Sequence, residues 1–352
     1  MNTIDLRSDT VTRPTDEMRR AMYEAEVGDD VFEEDPTVRE LEELSAERLG
    51  KEAGLFVASG TMGNLVSLLT HLGRGEEALV GAGSHIHEHE QGSASSLGGI
   101  VLRALHKGEH GSLDPDEIEA SIAPDDVHKP RTRLLCAENA YNGRALGVDE
   151  MNAIWTQASR LGLKTHLDGA RLFNAATAHR VDVRELVEGF DSVQFCFSKG
   201  LCAPAGSMIV SDRDFIKQAR RWRKALGGGM RQIGVLAAAC RIALTRMTLR
   251  LEEDHATAAL LYEQLGSIRG IKLIAELRGT NMVWFDVDIP GVTALDFVRK
   301  AEEEGVLVFD CSRTTIRAVT HHGISEDAAR EAASRFARVA AGLLQQVIPT
   351  GR

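Results

Sequence analysis

The chain has 352 residues and a formal charge of −11, because 52 Asp and Glu residues outnumber 41 Lys and Arg residues. A hydrophobic content of 43% and a charged content of 26% are those of an ordinary globular protein and exclude a disordered chain. The acidic balance argues against a nucleic-acid partner, and no apolar run reaches the roughly 18 to 20 residues that span a bilayer.

The N-terminal two thirds of the chain predict an α/β fold. Helices are expected over residues 15–26 and from Asp35 onward, where Asp35 can cap the helix and Pro36 suits its first turn. Short apolar runs then alternate with helical stretches. The predicted strands are 55–58, 78–80, 100–105, 133–137, 164–167, 192–197 and 208–210. This alternation predicts a mainly parallel sheet, which binds ligands at the carboxyl ends of its strands.

The pattern changes near residue 250. Helices predicted at 233–245 and 249–265 lead into strands at 272–276 and 282–288 and a helix at 293–304. Strands at 306–310 and 315–319 and a last helix from about Ser325 complete the chain. We therefore expect a large domain over residues 1–250, including the N-terminal arm, and a smaller α+β domain over residues 251–352.

Three of the predicted strands end in residues that suit one cofactor. Gly60 and Thr61 open a helix whose N–H groups can bind phosphate, although an ordinary strand-to-helix turn has the same residues. Asp168 can pair with a protonated ring nitrogen or cap the next helix. Lys199, unless it is a plain surface lysine, can form a Schiff base beside the sheet. Together, in this order on one sheet, they indicate a pyridoxal-phosphate enzyme.

Histidines at positions 85, 87 and 89 follow another predicted strand. In an extended segment, alternate histidines point the same way and could bind zinc. The alternative is that one of them stacks on a flat cofactor ring. Because no cysteine pair or second histidine cluster has matching spacing, we predict no metal.

Arginines could receive a carboxylate by bidentate pairing at three places, namely near Arg7, at Arg171 and at Arg317. A single arginine is usually solvated, but Arg317 lies inside a predicted strand. The cysteines are odd in number and widely spread: Cys136, Cys196, Cys202, Cys240 and Cys311. With no secretory signal visible at the N-terminus, they predict reduced thiols in a cytoplasmic protein.

The chain resembles the low-specificity L-threonine aldolases, which are pyridoxal-phosphate enzymes of fold type I. The resemblance spans nearly the whole length and rests on ordered blocks at residues 5–12, 27–31, 34–37, 60–64, 167–175, 198–201, 227–232 and 319–321. It implies a carbon–carbon lyase that cleaves L-threonine, L-allo-threonine and related L-β-hydroxy-α-amino acids reversibly to glycine and an aldehyde. A β-eliminating lyase on the same scaffold is the alternative, and a metal-dependent hydrolase at the histidine cluster is a more distant one.

The resemblance also implies the residues of a cofactor site. Lys199 would bind pyridoxal phosphate covalently, Gly60 and Thr61 would bind its phosphate, and Asp168 would pair with its ring nitrogen. His85 would stack over the ring.

Substrate binding and assembly are implied in the same way. The ligands of the substrate carboxylate would be Ser8, Arg171 and Arg317. Cleavage also needs a base that takes the proton of the β-hydroxyl group, and His85 and His128 are our candidates for it. Arg231 would reach toward the phosphate of the neighbouring subunit, so a dimer is the minimum active unit and a tetramer the usual assembly, with no membrane or nucleic-acid partner.

Several positions depart from the pattern of this family. Phe32 stands where tyrosine is common, Tyr141 where histidine is common, and Cys202 where glycine is common. His87 and His89 replace residues that are often aromatic or basic. These differences bear on substrate preference and diastereomer selectivity rather than on the cofactor.

Overall fold

A computed structural model describes residues 3–108, 111–275 and 279–347. Its strands are β1 (Ile4–Asp5), β2 (Ala53–Val57), β3 (Glu77–Gly81), β4 (Val101–Leu105), β5 (Thr132–Glu138), β6 (Ala140–Tyr141), β7 (Arg144–Ala145), β8 (Lys164–Asp168), β9 (Ser192–Cys196), β10 (Ser207–Ser211), β11 (Ile271–Leu273), β12 (Met282–Val287), β13 (Val306–Leu307), β14 (Phe309–Asp310) and β15 (Thr315–Val319).

The helices have the following bounds: α1 (Asp16–Glu24), α2 (Pro36–Leu49), α3 (Gly60–His71), α4 (His85–Glu88), α5 (Ser93–Ser96), α6 (Pro115–Ala120), α7 (Val148–Arg160), α8 (Leu172–His179), α9 (Arg213–Ala225), α10 (Gly234–Thr245), α11 (Leu251–Leu265), α12 (Ala294–Glu303) and α13 (Glu326–Val347). Short 3-10 segments occur at Asp9–Val11, Asp30–Phe32 and Met247–Arg250.

The chain divides into two compact units. The larger comprises Arg13–Tyr141 and Ala145–Thr248, and the smaller comprises Met1–Thr12, Asn142–Arg144 and Leu249–Arg352. The N-terminal arm differs from our expectation, because it belongs to the smaller unit. Strand β1 pairs in parallel with β13, and Ile4 and Leu6 are buried in the core of that unit.

The larger unit is built on a seven-stranded sheet in the order β2-β10-β9-β8-β5-β3-β4. Only β10, among these strands, runs antiparallel to its neighbours β2 and β9. All seven predicted apolar runs form strands of this sheet, which confirms the mainly parallel α/β architecture. Strands β3, β9 and β10 are buried throughout, as expected where helices cover both faces.

The helix predicted to begin at Asp35 forms as expected. The Asp35 carboxylate accepts from the backbone N–H groups of Thr37 and Val38, both at 3.1 Å, and Pro36 occupies the first turn. Gly50 ends the helix in the left-handed region at φ 67°, where glycine has no side chain to clash.

The smaller unit contains a four-stranded antiparallel sheet in the order β11-β12-β15-β14. Its core includes Phe285, Phe297 and Phe336, whose ring centroids lie 5.7 to 6.0 Å apart. The strand predicted over residues 306–310 is two short strands, since β13 pairs with β1 and β14 with β15. The strand predicted over 272–276 ends at Leu273, and residue 276 lies outside the described residues.

Within the described ranges, no helix combines the length and the apolar composition that a membrane crossing requires. All five cysteines fall in these ranges and are free thiols, four of them buried and Cys311 exposed.

Candidate active site

The first turn of α3 follows β2 at the carboxyl edge of the sheet. Ser59 caps this helix, because its hydroxyl accepts from the N–H of Met62 at 3.2 Å and its carbonyl accepts from Gly63 at 3.0 Å. The N–H groups of Gly60 and Thr61 precede these and have no carbonyl of the helix to bond. The capping role and the anion-binding role therefore use different N–H groups, and α3 can fulfil both.

Asp168 ends β8 as a buried carboxylate, 4% exposed. Its Oδ1 accepts from Gln194 Nε2 at 3.0 Å and from the backbone N–H of Ala170 at 3.1 Å. Its Oδ2 accepts from Asn64 Nδ2 at 2.7 Å. A carboxylate offers about four lone-pair positions, so these three bonds leave one position, on Oδ2, for a further donor.

A chain of neutral side chains lies behind Asn64. Both hydrogens of the Asn64 amide point at carboxylate oxygens, so its Oδ1 must accept from His166 Nε2 at 3.0 Å. His166 Nδ1 then accepts from the Ser192 hydroxyl at 2.8 Å, and that hydroxyl accepts from His71 Nε2 at 2.7 Å. Burial lowers the pKa of His166 to about 4 and that of His71 to about 3, so both rings are neutral at pH 7.

His85 opens the short helix α4 after β3. Its Nδ1 lies 2.7 Å from Glu90 Oε1, and its backbone N–H donates to Glu138 Oε1 at 2.7 Å. Glu90 Oε1 also accepts the second hydrogen of Asn64 at 2.7 Å. The hydrogen bond that Glu90 accepts from the ring raises the pKa of His85, and burial opposes that shift. One amide thus joins the Asp168 carboxylate to the His85 ring through Glu90.

Lys199 lies in the loop after β9, three residues beyond Cys196. The loop is tightly bonded, since the carbonyl of Lys199 accepts from the N–H of Cys202 at 2.9 Å. Cys202 is buried at φ 65°, a left-handed conformation that favours glycine. The positive charge of Lys199 acts to lower the pKa of His85, so the two side chains are close enough to interact electrostatically.

A second lysine stands at the same edge of the sheet and was not singled out from the sequence. Lys107 Nζ lies 2.9 Å from Glu138 Oε2 and 3.5 Å from the centroid of the Tyr141 ring, and its side chain is 7% exposed. Burial lowers the pKa of Lys107, and Glu138 opposes that effect. Glu138 therefore links Lys107 to the backbone of His85.

The histidine segment is not extended. Residues His85–Glu88 form one helical turn, so the alternation that would aim His85, His87 and His89 at one zinc ion is absent from this segment. His85, Glu90 and Asp168 do bring ligand-type atoms within 4.8 Å of one another. In this cluster the facing oxygen atoms of Glu90 and Asp168 accept the two hydrogens of the Asn64 amide.

Other predicted residues of the larger unit are placed differently. The His128 side chain is 82% exposed, and its Nδ1 lies 2.7 Å from Asp126 Oδ1 on a surface turn. This placement favours His85 and gives no support to His128 as the base. Arg171 immediately precedes α8 as its N-cap residue. Arg231 is half exposed and pairs with Asp29 at 3.0 Å.

Ser8 and Arg317 belong to the smaller unit. Ser8 is buried and caps the 3-10 segment Asp9–Val11, accepting from the N–H of Thr10 at 3.2 Å. Arg317 lies in β15, donates from Nη2 to the carbonyl of Arg7 at 3.2 Å, and has its guanidinium carbon 5.9 Å from the Trp284 ring centroid. The strand predicted around Arg317 is therefore present, and the guanidinium is held by cation–π contact.

Gly63 gives a test of how tightly α3 packs on the sheet below Asp168. A Cβ atom at Gly63 would lie 2.6 Å from Cγ of Gln194, which is fully buried. Gly63→Ala is therefore expected to destabilise the protein by about 1–3 kcal/mol, as overpacking does. The matched control is Gly342→Ala in α13, where nothing lies within 4 Å of the added atom. In an open helix that exchange stabilises by about 1 kcal/mol.

Thermal unfolding of both variants without added ligand measures this difference. The midpoint should fall for Gly63→Ala and rise slightly for Gly342→Ala. A rise in both midpoints would contradict the close packing of α3 on Gln194.

The chain is similar to known proteins in both sequence and structure. A model of the beta-eliminating lyase family matches residues 5–289. Low-specificity L-threonine aldolase 1 of Arabidopsis thaliana is 47% identical over 332 residues, covering 92% of this chain and 93% of the relative. The low specificity L-threonine aldolase of Escherichia coli K12 is 43% identical over 333 residues, covering 95% and 98%. The solved structure of Leishmania major threonine aldolase superimposes with a TM-score of 0.80 at 19% identity, covering 96% and 99%.

Proposed function

The chain belongs to the beta-eliminating lyase family and, within it, to the low-specificity L-threonine aldolases, and on that premise we propose that it cleaves L-threonine and L-allo-threonine to glycine and acetaldehyde. Related L-β-hydroxy-α-amino acids are further substrates, and the reaction is reversible. The observation that carries the proposal is the buried Asp168 carboxylate, held at the same sheet edge as Lys199 and the first turn of α3.

The donor set at this edge fits pyridoxal phosphate. A protonated pyridine nitrogen needs a buried carboxylate with a lone pair to spare, which Asp168 Oδ2 has after its bond to Asn64. A phosphate needs N–H groups at a helix N-terminus, which Gly60 and Thr61 provide. Lys199 supplies the amine for covalent attachment. Bound there, the cofactor supplies an electron sink for the pair of electrons that is left when the bond between Cα and Cβ breaks.

The protein's own residues then control protons and orientation. Asp168 keeps a proton on the ring nitrogen, because an ionised carboxylate stabilises the charged form of its partner. We propose His85 as the base, with Nε2 taking the proton of the β-hydroxyl group as the hydroxyl oxygen becomes the carbonyl oxygen of the aldehyde. Cα afterwards takes up one proton in place of the one that the β-hydroxyl group gave up, so the protons balance and glycine leaves.

Ser8, Arg171 and Arg317 remain the proposed ligands of the substrate carboxylate. A guanidinium group suits this task because its N–H groups match the two oxygens of a carboxylate. Their proposed role is to orient the bond between Cα and Cβ for cleavage.

The experiment is a substrate panel of L-threonine, L-allo-threonine and L-phenylserine with the purified enzyme. Glycine and the matching aldehyde should form in equal amounts from each. The competing β-elimination would release ammonia and 2-oxobutanoate from threonine, and those products without glycine would contradict the aldolase.

We further propose that the chain acts in the cytoplasm as a homotetramer, with a dimer as its minimum active unit. Its free thiols support an intracellular location. An exposed apolar stretch supports self-association, since Phe32 is 71% exposed and Val27 and Val31 are exposed beside it. Light scattering after size-exclusion chromatography tests the assembly, and a monomer would contradict it.

A further inference from the structure

Glu90 is a buried carboxylate that the proposed mechanism leaves without a task. It is 5% exposed, and burial raises its pKa while the bonds from His85 and Asn64 act to lower it. A carboxylate is rarely retained in such a place unless its hydrogen bonds compensate for the lost hydration. Here one oxygen, Oε1, accepts from two different side chains at 2.7 Å.

We propose that Glu90 is a positioning residue for the base, fixing the His85 ring with Nδ1 as the hydrogen-bond donor and Nε2 as the proton acceptor. The inference deepens the proposed function and rests on it, because it assigns the atom of His85 that receives the β-hydroxyl proton. It also gives Asn64 a task, since that amide ties the Glu90–His85 pair to Asp168.

The tautomer follows from a count of donors and acceptors. The Asn64 amide presents Nδ2 to Glu90 and Asp168, because an ionised carboxylate can only accept and two of them face this end of the amide. An ionised Glu90 can only accept, so the ring nitrogen that faces it must carry the hydrogen. In the neutral ring of His85, the lone pair is then on Nε2.

The charged groups around His85 come from several elements. Glu90 follows α4, Asp168 ends β8, Lys199 follows β9, and Glu138 of β5 accepts from the backbone N–H of His85. The ring of His89 lies 5.8 Å from that of His85. Glu90 and Asp168 favour the protonated ring and Lys199 opposes it. Of these groups, Glu90 is the one hydrogen-bonded directly to Nδ1.

Glu90→Gln tests the inference, because glutamine keeps the size of the side chain and removes its charge. The matched control is Glu88→Gln, which removes another carboxylate from the same segment. The Glu88 carboxylate lies 3.6 Å from His87 Nδ1. NMR of the His85 ring nitrogens gives the first measurement, on the protein with and without cofactor. We expect Glu90→Gln to lower the pKa of His85 by about one pH unit or more, the size of a shift from one adjacent opposite charge. Glu88→Gln should leave the pKa of His85 unchanged.

The pH profile of kcat/KM gives the second measurement, on the holoenzyme. In Glu90→Gln, its acidic limb should move to lower pH with the His85 pKa. The plateau should fall by about 10-fold or more, part of the 10² to 10⁴ that a positioned base contributes. Glu90→Asp, which restores the charge, should recover the position of the limb. A His85 pKa and an acidic limb that are both unchanged in Glu90→Gln would overturn the inference.

A measurement on the unaltered protein keeps the inference testable if Glu90→Gln does not fold. Nitrogen chemical shifts of neutral His85 should report a hydrogen on Nδ1 and none on Nε2, and the opposite tautomer would overturn the inference. This result is independent of the reaction. If the substrate panel yielded no glycine, the proposed function would fail while the tautomer remained measurable.

Discussion

Replacing Lys199 with alanine is expected to abolish multiple turnover, lowering kcat by about 10³-fold or more, since it removes both the covalent attachment point and an amine that can carry a proton. The visible absorbance that comes from the bond between lysine and cofactor should disappear from the purified protein. Activity with L-threonine and the absorption spectrum are the two measurements.

The informative control is Lys107→Met, because Lys107 is a second lysine at this edge of the sheet and burial lowers its pKa. Its amine is bonded to Glu138 and packed on the Tyr141 ring. We expect this variant to retain the visible absorbance. Retention of turnover in Lys199→Ala, with loss in Lys107→Met, would move the attachment site to Lys107.

Replacing Asp168 with alanine is expected to weaken cofactor binding by about 10- to 100-fold, the equivalent of one charge-assisted hydrogen bond. The change also leaves the N–H donors of Asn64, Gln194 and Ala170 without their acceptor. Titration of the cofactor-free protein with pyridoxal phosphate measures the affinity directly.

Asp191→Ala is the matched control for Asp168→Ala. Asp191 also accepts several hydrogen bonds. Its donors, Lys164 and Thr165, are the first residues of β8, whereas Asp168 is the last residue of that strand. Its loss should lower stability while leaving the cofactor affinity nearly unchanged. Equal affinities for wild type and Asp168→Ala would contradict the assigned role of this carboxylate.

The strands of the larger unit could be predicted because each is a short apolar run between turn residues. Burial on both faces leaves strands such as β3, β9 and β10 without polar alternation, so these runs stand out against the amphipathic helices. Asp168 and Lys199 stand out for a related reason, since Asp168 directly follows the run 164–167 and Lys199 lies two residues after the run 192–197.

The residues that hydrogen-bond to the predicted site residues or lie beside them could not be predicted in this way. Asn64 meets Asp168 across 104 residues of sequence, and Lys107 meets Glu138 across 31, so no local spacing marks either contact. Glu90 lies five residues from His85, but the segment between them was considered as extended, whereas it begins with a helical turn. No local pattern indicates the unit to which the N-terminal arm belongs, because the pairing of β1 with β13 joins residues about 300 apart.

Lys199, at the carboxyl edge of the seven-stranded sheet, is the residue proposed to hold the cofactor. Reduction of the purified holoenzyme with borohydride, followed by peptide mapping with mass spectrometry, tests it most directly. We expect the added cofactor mass on the peptide that contains Lys199. A label on Lys107 or on another lysine, with Lys199 unmodified, would contradict it.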